Sequence, residues 1–417
     1  MSEATRVTAL APFRVRSFRF QWPADLTTSW AFEMETLILG WYILVETGSV
    51  LLLAVFASLQ YTGTLIAPFF GVVADRVGRG NVLAGMRAVY TILATALMVF
   101  ALTGALTPLH VFVIATLMGL VRPSDMGMRA ALVGDTMPPA HLMGAMGIQR
   151  TTSDSARIAG ALTGAGLVAT LGMGPAYVAI AAFYAISFAL TLKASRLRFA
   201  RAAEPAPLSP SPWRDLKDAA AYVWNTPHLL GTMWLAFLIN FTAYPLVNAL
   251  LPYVAKEMYR TDQTGLGYLV AAFATGALVG SIALSRTGSA IRPARMMIVF
   301  CAVWYVMILV FARMESFGAA VFVLFLTGFA QSLGMVPMSA MLLRNSDVQY
   351  RGRLMGLRML AIYGLPLGLL LAGPLVARFG YPATATLYST IGLAFVGFIA
   401  LRWRDHLWRR DAPANVR

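Results

Sequence analysis

The sequence predicts an all-α integral membrane protein of twelve transmembrane helices in two pseudo-symmetric six-helix bundles. Hydrophobic residues make up 59% of the 417 residues and charged residues only 12%, and the charged share is about half that of a typical soluble domain. The apolar residues form long continuous runs rather than the period-two alternation that a closed barrel needs to cross lipid. The length accommodates about twelve spans of roughly 20 residues with short loops.

The apolar runs give the position of each span. The first and fifth runs are the least apolar, because both carry ionisable residues. We place the spans at about 20–44, 50–74, 81–104, 108–132, 147–171, 174–193, 228–254, 264–285, 294–312, 317–342, 356–377 and 380–402.

The longest loop lies near the midpoint of the chain and separates two bundles. Residues 1–193 form the first six-helix bundle, 194–227 the central loop and 228–417 the second bundle. Proline and serine in the loop predict an extended linker. At its end, Trp213, Leu216, Ala220 and Trp224 recur at helical spacing. This pattern predicts either an amphipathic helix on the membrane surface or a short capping helix packed on the bundle.

Basic residues concentrate in the loops on the side that carries both termini, which predicts that both termini are cytoplasmic in the cell (inner) membrane. The formal net charge of +15 arises from these loops rather than from a basic domain, so we expect no nucleic-acid partner.

The two halves also repeat in sequence. Gly71 and Gly280, which begin similar segments after the second and eighth spans, lie about 209 residues apart, and Gly164 and Gly373 repeat that spacing. Duplicated halves place a binding site between them, near the middle of the bilayer.

The segment GVVADRVGR at residues 71–79 resembles the signature loop between the second and third helices of the major facilitator superfamily. The whole chain fits that family's layout. The resemblance implies a transporter of a small molecule and a cytoplasmic gate latch in which Asp75 ties the second helix to its neighbours. The latch residues are Gly71, Asp75, Arg76, Gly78 and Arg79, with Asp154 joining them from between Arg150 and Arg157. For Arg79, the positive-inside rule alone is a sufficient explanation.

Three further segments, FRFQW, NTPHLLG and YRGRLMGL, resemble the exporter branch that includes siderophore and drug efflux permeases. In the fifth helix, Gly160 and Gly164 match that branch's antiporter motif, whereas Ala161 replaces its proline. Small residues four positions apart allow close helix packing. In the fourth helix, Arg122 matches the family's arginine, but the residues after it differ.

Ionisable residues within spans are the strongest functional signal, since each costs about 2.5–3.5 kcal/mol or more in the bilayer. Glu33 and Glu35 lie near the middle of the first span and cannot share one face. Arg122 lies in the fourth span, which the family resemblance places beside the first, and Asp125 continues its stripe. We expect an ion pair between Arg122 and Glu33 or Glu35, serving either proton coupling or a static lock between helices.

The second half contributes neutral polar groups to its spans. Asn240, Tyr244 and Asn248 recur every four residues, Pro245 interrupts their helix, and Gln331 lies in the tenth span. These groups either bind substrate or hold helices together, the latter at under about 2 kcal/mol per hydrogen bond.

The sequence offers no metal or cofactor site and no enzyme active site: its four histidines are not clustered, and no phosphate-binding loop is present. The leading prediction is a monomeric, proton-coupled exporter of a small amphipathic, drug-like or siderophore-like compound, with a small molecule, protons and the lipid bilayer as its partners. A facilitator or importer of a metabolite and a non-transporting sensor or assembly protein remain open.

Overall fold

The computed structural model describes residues 11–64, 66–196, 212–287, 292–344, 358 and 360–404. Within these residues the chain is built from helices and contains no strand, which confirms the all-α prediction. In the first half the α-helices are α1 (Arg16–Thr47), α2 (Val50–Leu59), α3 (Ala67–Val77), α4 (Arg79–Leu102), α5 (Pro108–Thr136), α6 (Pro139–Leu171) and α7 (Met173–Arg196). They are followed by α8 (Pro212–Trp224), α9 (Pro227–Met258), α10 (Gln263–Thr287), α11 (Pro293–Phe311), α12 (Phe317–Arg344) and α13 (Gly364–Arg402).

These helices account for twelve spans. Among the described residues, eight helices are long and apolar enough to cross a membrane. One of them, α13, holds two spans, because Gly380 has a φ of 78° and breaks the helix between them. The second span is divided into α2 and α3 by a 3₁₀ turn at Thr62–Thr64. The remaining two spans are α1 and α6, whose ionisable residues lower their hydropathy.

The chain separates into two compact units. The first comprises Met1–Tyr42 and Leu59–Leu208, and the second comprises Ile43–Ser58 and Ser209–Arg417. This division differs from the predicted halves in assigning residues 43–58 to the second unit. There, the Ser58 hydroxyl donates to the Pro366 carbonyl at 3.3 Å.

Close helix contacts in the first unit depend on glycine. A Cβ added to Gly160 of α6 would come within 2.6 Å of the Glu33 Cβ, and one added to Gly164 within 3.0 Å of the Met34 Cα. The two glycines of the predicted packing motif therefore lie directly against α1. A second contact of this kind brings Gly119 of α5 against the Leu59 carbonyl at the end of α2.

In the second unit, α9 departs from regular helix where Pro245 predicts an interruption. The segments Pro245–Ala249 and Val254–Met258 are π-helical, and the Leu250 amide donates to the Pro245 carbonyl at 3.2 Å. Proline lacks the amide needed for a regular α-helical bond, and short π segments accommodate such breaks.

The structure places the end of helix α8 on the bundle. Val223 is buried in a cluster with Leu229 of α9 and Leu342 of α12. Trp224, at the end of α8, is 68% exposed. The side chains of Trp213 and Leu216 lie outside the described residues. The C-terminal turn of α8 therefore contacts α9 and α12 through Val223, and both alternatives for the helix stay predictions.

Candidate functional site

Arg122 lies in the interior of the first unit, but it does not form the predicted ion pair. Its guanidinium donates to Gln60 Oε1 at 2.5 Å and to Thr36 Oγ1 at 3.2 Å, and it lies over the Phe32 ring. Among the described residues, no ion pair joins Arg122 to either glutamate of α1. Gln60 reaches the arginine because the glycine contact between α5 and the end of α2 brings these segments together. The guanidinium is thus held by neutral oxygens rather than by a carboxylate.

Glu33 and Glu35 face different helices, as their spacing predicts. Glu35 is only 5% exposed; its Oε2 accepts a hydrogen bond from the Tyr184 hydroxyl of α7 at 3.0 Å. The second oxygen, Oε1, is buried, and no described residue forms a hydrogen bond with it. Glu33 is partly exposed and packs toward Gly160 of α6. Glu35 is therefore the glutamate enclosed by the first unit, within electrostatic range of Arg122.

A buried cluster of two aspartates and two arginines lies nearer the end of the first unit that carries the α3–α4 connection. We call Asp25, Arg87, Asp125 and Arg129 the charge quartet. Arg87 is fully buried and donates to Asp25, and Arg129 Nη2 lies 2.5 Å from Asp125 Oδ2. Longer contacts of 3.9 Å (Arg87–Asp125) and 3.8 Å (Arg129–Asp25) close the ring. The formal charges cancel, as a buried ionic group requires.

The quartet is tied to its surroundings by neutral groups from three helices. Arg87 donates to Thr191 of α7, Gln149 Nε2 of α6 donates to Asp25 Oδ2 at 3.0 Å, and Arg129 donates to Ser29 of α1 at 2.8 Å. Asp125 was predicted as a site residue, but Asp25 and Arg87 were not. Both lie within predicted spans, and that position is the signal that would have identified them.

The connection between α3 and α4 consists of Gly78 alone, with a φ of 95°. Only glycine adopts this conformation without strain, so the tight turn requires it. Arg79 forms an ion pair at the protein surface with Asp135 of α5 at 2.6 Å. The Arg76 side chain is also exposed. The surroundings of Gly71 and the side chain of Asp75 are not described by the structure, so the latch role of Asp75 stays a prediction.

Asp154 joins one of the two arginines that flank it. Arg150 Nε donates to Asp154 Oδ2 at 3.2 Å across one turn of α6, and the arginine side chain is 68% exposed. Arg157 and Asp154 both lie within electrostatic range of Glu33. Asp154 therefore contributes to the charge environment of the first helix as well as to its own helix.

The structure brings together two of the neutral groups predicted in the second half. Gln331 Nε2 donates to the Tyr244 hydroxyl at 2.8 Å, and the Tyr244 ring packs edge-on against Trp304 with centroids 5.1 Å apart. Asn240 is buried and donates to a carbonyl of its own helix at 2.8 Å. Asn248 is partly buried one turn beyond Tyr244. Tyr244 and Gln331 thus form a polar pair within an aromatic setting.

Comparison with known proteins gives consistent results for the whole chain. The family model described as transmembrane secretion effector, of the major facilitator superfamily, matches residues 7–415. The multidrug efflux pump Tap of Mycolicibacterium fortuitum is 25% identical over 371 residues, covering 87% of this chain and 89% of Tap.

Solved structures match the fold at lower identity. A bacterial homologue of the human lysosomal transporter Spinster, inward-facing and unoccupied, aligns with a TM-score of 0.73 at 13% identity, covering 97% of this chain and 99% of that one. The nucleoside transporter NupG aligns with a TM-score of 0.66 at 14% identity, covering 93% and 99%. These likenesses confirm the twelve-helix transporter fold.

Proposed function

Because the chain belongs to the major facilitator superfamily, within its transmembrane secretion effector family, we propose that it exports a small amphipathic organic compound in exchange for protons. Its likeness to a multidrug efflux pump supports the outward direction and a drug-like substrate. Transport proceeds by alternating access, as in other proteins built from two repeated halves.

The observation that carries the proton-coupling proposal is Glu35. Its carboxyl group is buried in the interior of a membrane bundle. One oxygen accepts a hydrogen bond from the Tyr184 hydroxyl, and the other has no hydrogen-bond partner in the described part of the chain. Ionisable groups in such positions are costly and mark proton and substrate pathways. Arg122 is held by Gln60 and Thr36, so no ion pair locks the carboxyl group in its charged form. Glu35 is thus placed to exchange a proton during the transport cycle.

The two halves divide the work in this proposal. The first half carries the ionisable groups within the spans, among them Glu33, Glu35, Arg122 and Asp125, together with the cytoplasmic latch. The second half offers neutral hydrogen-bonding groups to the substrate through Asn240, Tyr244, Asn248 and Gln331. The Tyr244–Gln331 pair beside Trp304 supports this assignment, because an aromatic surface with a few polar groups suits an amphipathic molecule. The transporter acts as a monomer in the inner membrane with both termini in the cytoplasm.

Transport of ethidium in proteoliposomes with an imposed pH gradient tests the proposal. We expect Glu33→Gln or Glu35→Gln to abolish the flux driven by the gradient while expression is kept, because neither amide can carry a proton. The matched control is Glu257→Gln, which neutralises a carboxylate that is 51% exposed at the end of α9; its flux should equal that of the wild type.

Two outcomes would contradict the proposal. Undiminished flux in both single variants and in the double variant would exclude the two glutamates as proton carriers. Wild-type ethidium flux that does not respond to the pH gradient would indicate a facilitator.

A further inference from the structure

The interior of the first unit contains buried polar atoms that the protein itself does not satisfy. Glu35 Oε1, the Tyr90 hydroxyl, Asp125 Oδ1 and Arg87 Nε are all buried, and none has a hydrogen-bond partner among the residues that the structure describes. Such atoms are rare in folded proteins, and ordered water commonly satisfies them. They belong to Glu35 of α1, to Tyr90 and Arg87 of α4 and to Asp125 of α5, so they extend from Glu35 to the charge quartet.

Two tyrosines connect these atoms. The Tyr184 hydroxyl donates to Glu35 Oε2 at 3.0 Å, and the Tyr184 ring packs against the Tyr90 ring with centroids 5.5 Å apart. Tyr90 lies within electrostatic range of Asp125 and Arg129. Both tyrosines are at least 96% buried. The series of contacts therefore runs from Glu35 through Tyr184 to Tyr90, and Asp125 lies within electrostatic range of its last member.

The far end of this series is the charge quartet, where Asp125 Oδ1 faces Arg87 Nε at 3.9 Å. This separation is longer than a direct hydrogen bond and leaves both atoms available to water. Arg129 and Gln149 are partly exposed, so the quartet also reaches the surface of the unit. From Glu35 to Asp25 the distance along α1 is about 15 Å at the rise of an α-helix.

We propose that Tyr184 and Tyr90, bridged by buried water, relay protons between Glu35 and Asp125 through the interior of the first unit. The relay rests on the proposed function, since it supplies the route by which Glu35 releases its proton. It makes the charge quartet the release end of that route, on the side predicted to be cytoplasmic.

Each step of the relay conserves protons. When Glu35 is protonated, its O–H donates to the Tyr184 oxygen, and the Tyr184 O–H turns from Glu35 Oε2 toward Tyr90. Glu35 then gives its proton to the Tyr184 oxygen as the Tyr184 O–H passes its own proton on, directly or through water, to the Tyr90 oxygen. The Tyr90 O–H then gives its proton to water beside Asp125, and that water passes one to the solvent through the quartet. Both hydroxyls are restored, Glu35 becomes a carboxylate and one proton leaves the unit.

Charged and titratable groups face the relay from each neighbouring helix. Around Glu35 these are Arg122 of α5 and the tyrosines of α7; around Tyr90 they are Arg87 of its own helix, Tyr184 of α7, and Asp125, Arg129 and Arg122 of α5. The arginines keep the quartet aspartates paired, so Asp125 serves as a transient acceptor through water rather than as a store for the proton.

Time-resolved infrared spectroscopy of the full-length protein tests the relay without a transport substrate. A light-triggered proton release changes the pH, and the carboxylic acid band that Glu35→Gln removes reports the protonation of Glu35. Tyr90→Phe is the informative variant because the Tyr90 hydroxyl makes no hydrogen bond to the described residues, so its removal breaks no bond to Glu35. We expect it to slow the change in the Glu35 band about tenfold or more, with the same pH midpoint.

Tyr177→Phe is the matched control. Tyr177 lies on the same helix as Tyr184, is fully buried, and its hydroxyl has no hydrogen-bond partner among the described residues. It also faces Glu35, so it differs from Tyr90 in lying outside the series that leads to Asp125. Its rate should equal that of the wild type. A wild-type rate in Tyr90→Phe, or equal slowing in Tyr177→Phe, would overturn the relay but leave proton-coupled export in place. A Glu35 band that never changes with pH would overturn both.

Discussion

At the scale of single residues, the charges inside the first unit fall into two classes. The charge quartet joins each arginine to a carboxylate, whereas Arg122 and Glu35 are held by neutral groups. Paired charges of this kind contribute to fixing the arrangement of helices, and removal of one partner leaves an uncompensated buried charge. A carboxyl group without such a partner can change its charge at lower cost to the fold. This difference separates the paired charges of the quartet from Glu35, the group that we propose binds and releases the proton.

Replacement of Arg87 tests the structural role of the quartet. Because Arg87 is fully buried against Asp25, we expect Arg87→Met to cost about 3–5 kcal/mol. Thermal unfolding in detergent measures the loss. Arg79→Met removes an ion pair whose side chains are 38% and 42% exposed, and an exposed pair is worth about 0–1 kcal/mol. If both variants unfold at the same temperature, the quartet does not stabilise the first unit. The double variant Asp25→Asn/Arg87→Met should recover part of the loss, since it buries no unpaired charge.

At the scale of helices, glycines determine how closely the membrane helices approach. Gly160 of α6 leaves room for Glu33 and the Trp30 carbonyl of α1. In the second unit, Gly276 of α10 packs against the backbone of α12, and Gly328 of α12 packs against the backbone of α10. Lipid-embedded helices gain little from apolar burial against one another, so close backbone packing is a principal source of their association. The glycine pattern thus sets the rotation of α6 against α1, and with it the direction of Glu33.

Substitution of Gly160 tests this packing. A Cβ at this position would lie 2.6 Å from Glu33 and 3.1 Å from the Trp30 carbonyl, so we expect Gly160→Ala to destabilise the protein by about 1–3 kcal/mol. Gly166→Ala, on the same helix with open space around its Cβ, should be neutral or stabilising because alanine favours the helix. Thermal unfolding of both variants in detergent gives the comparison. Equal stability of the two would show that α1 moves aside without cost.

At the scale of the whole molecule, the distribution of basic residues predicts the orientation in the membrane. The loops on the side of the termini carry most of the arginines, including Arg14, Arg16 and Arg19 ahead of the first span. Basic loops are retained in the cytoplasm during insertion. The same side carries the connection at Gly78 and the charge quartet, which makes it the side where the proposed relay releases protons.

Reporter fusions test the orientation. Alkaline phosphatase, which is active only outside the cytoplasm, should be inactive when fused after Arg417 and active when inserted after Ala105, between α4 and α5. A green fluorescent protein fusion at the C-terminus should fluoresce. The opposite pattern of phosphatase activity would reverse the predicted topology and place the quartet on the outer side.

The sequence by itself determined the class of protein, the number of spans and the half that carries the buried charges. The reason is that the free energy of placing a residue in the bilayer depends mainly on the type of that residue. An apolar run must be long enough to cross the bilayer, and a charged residue within such a run can be recognised in the sequence. For the same reason Glu33, Glu35, Arg122 and Asp125 could be selected from sequence, and so could Asp25 and Arg87.

Only the tertiary structure decided which of these groups meet. Asp25 and Arg87 are 62 residues apart, and Glu35 and Tyr184 are 149 apart. Their contacts depend on the rotation of each helix about its axis, which follows from glycine contacts between helices that are distant in the chain. The predicted pairing of Arg122 with a glutamate of α1 failed at this step, because Gln60 lies closer once α5 packs against the end of α2. Depth in the membrane can be inferred from the sequence, but the direction in which a side chain points is set by packing.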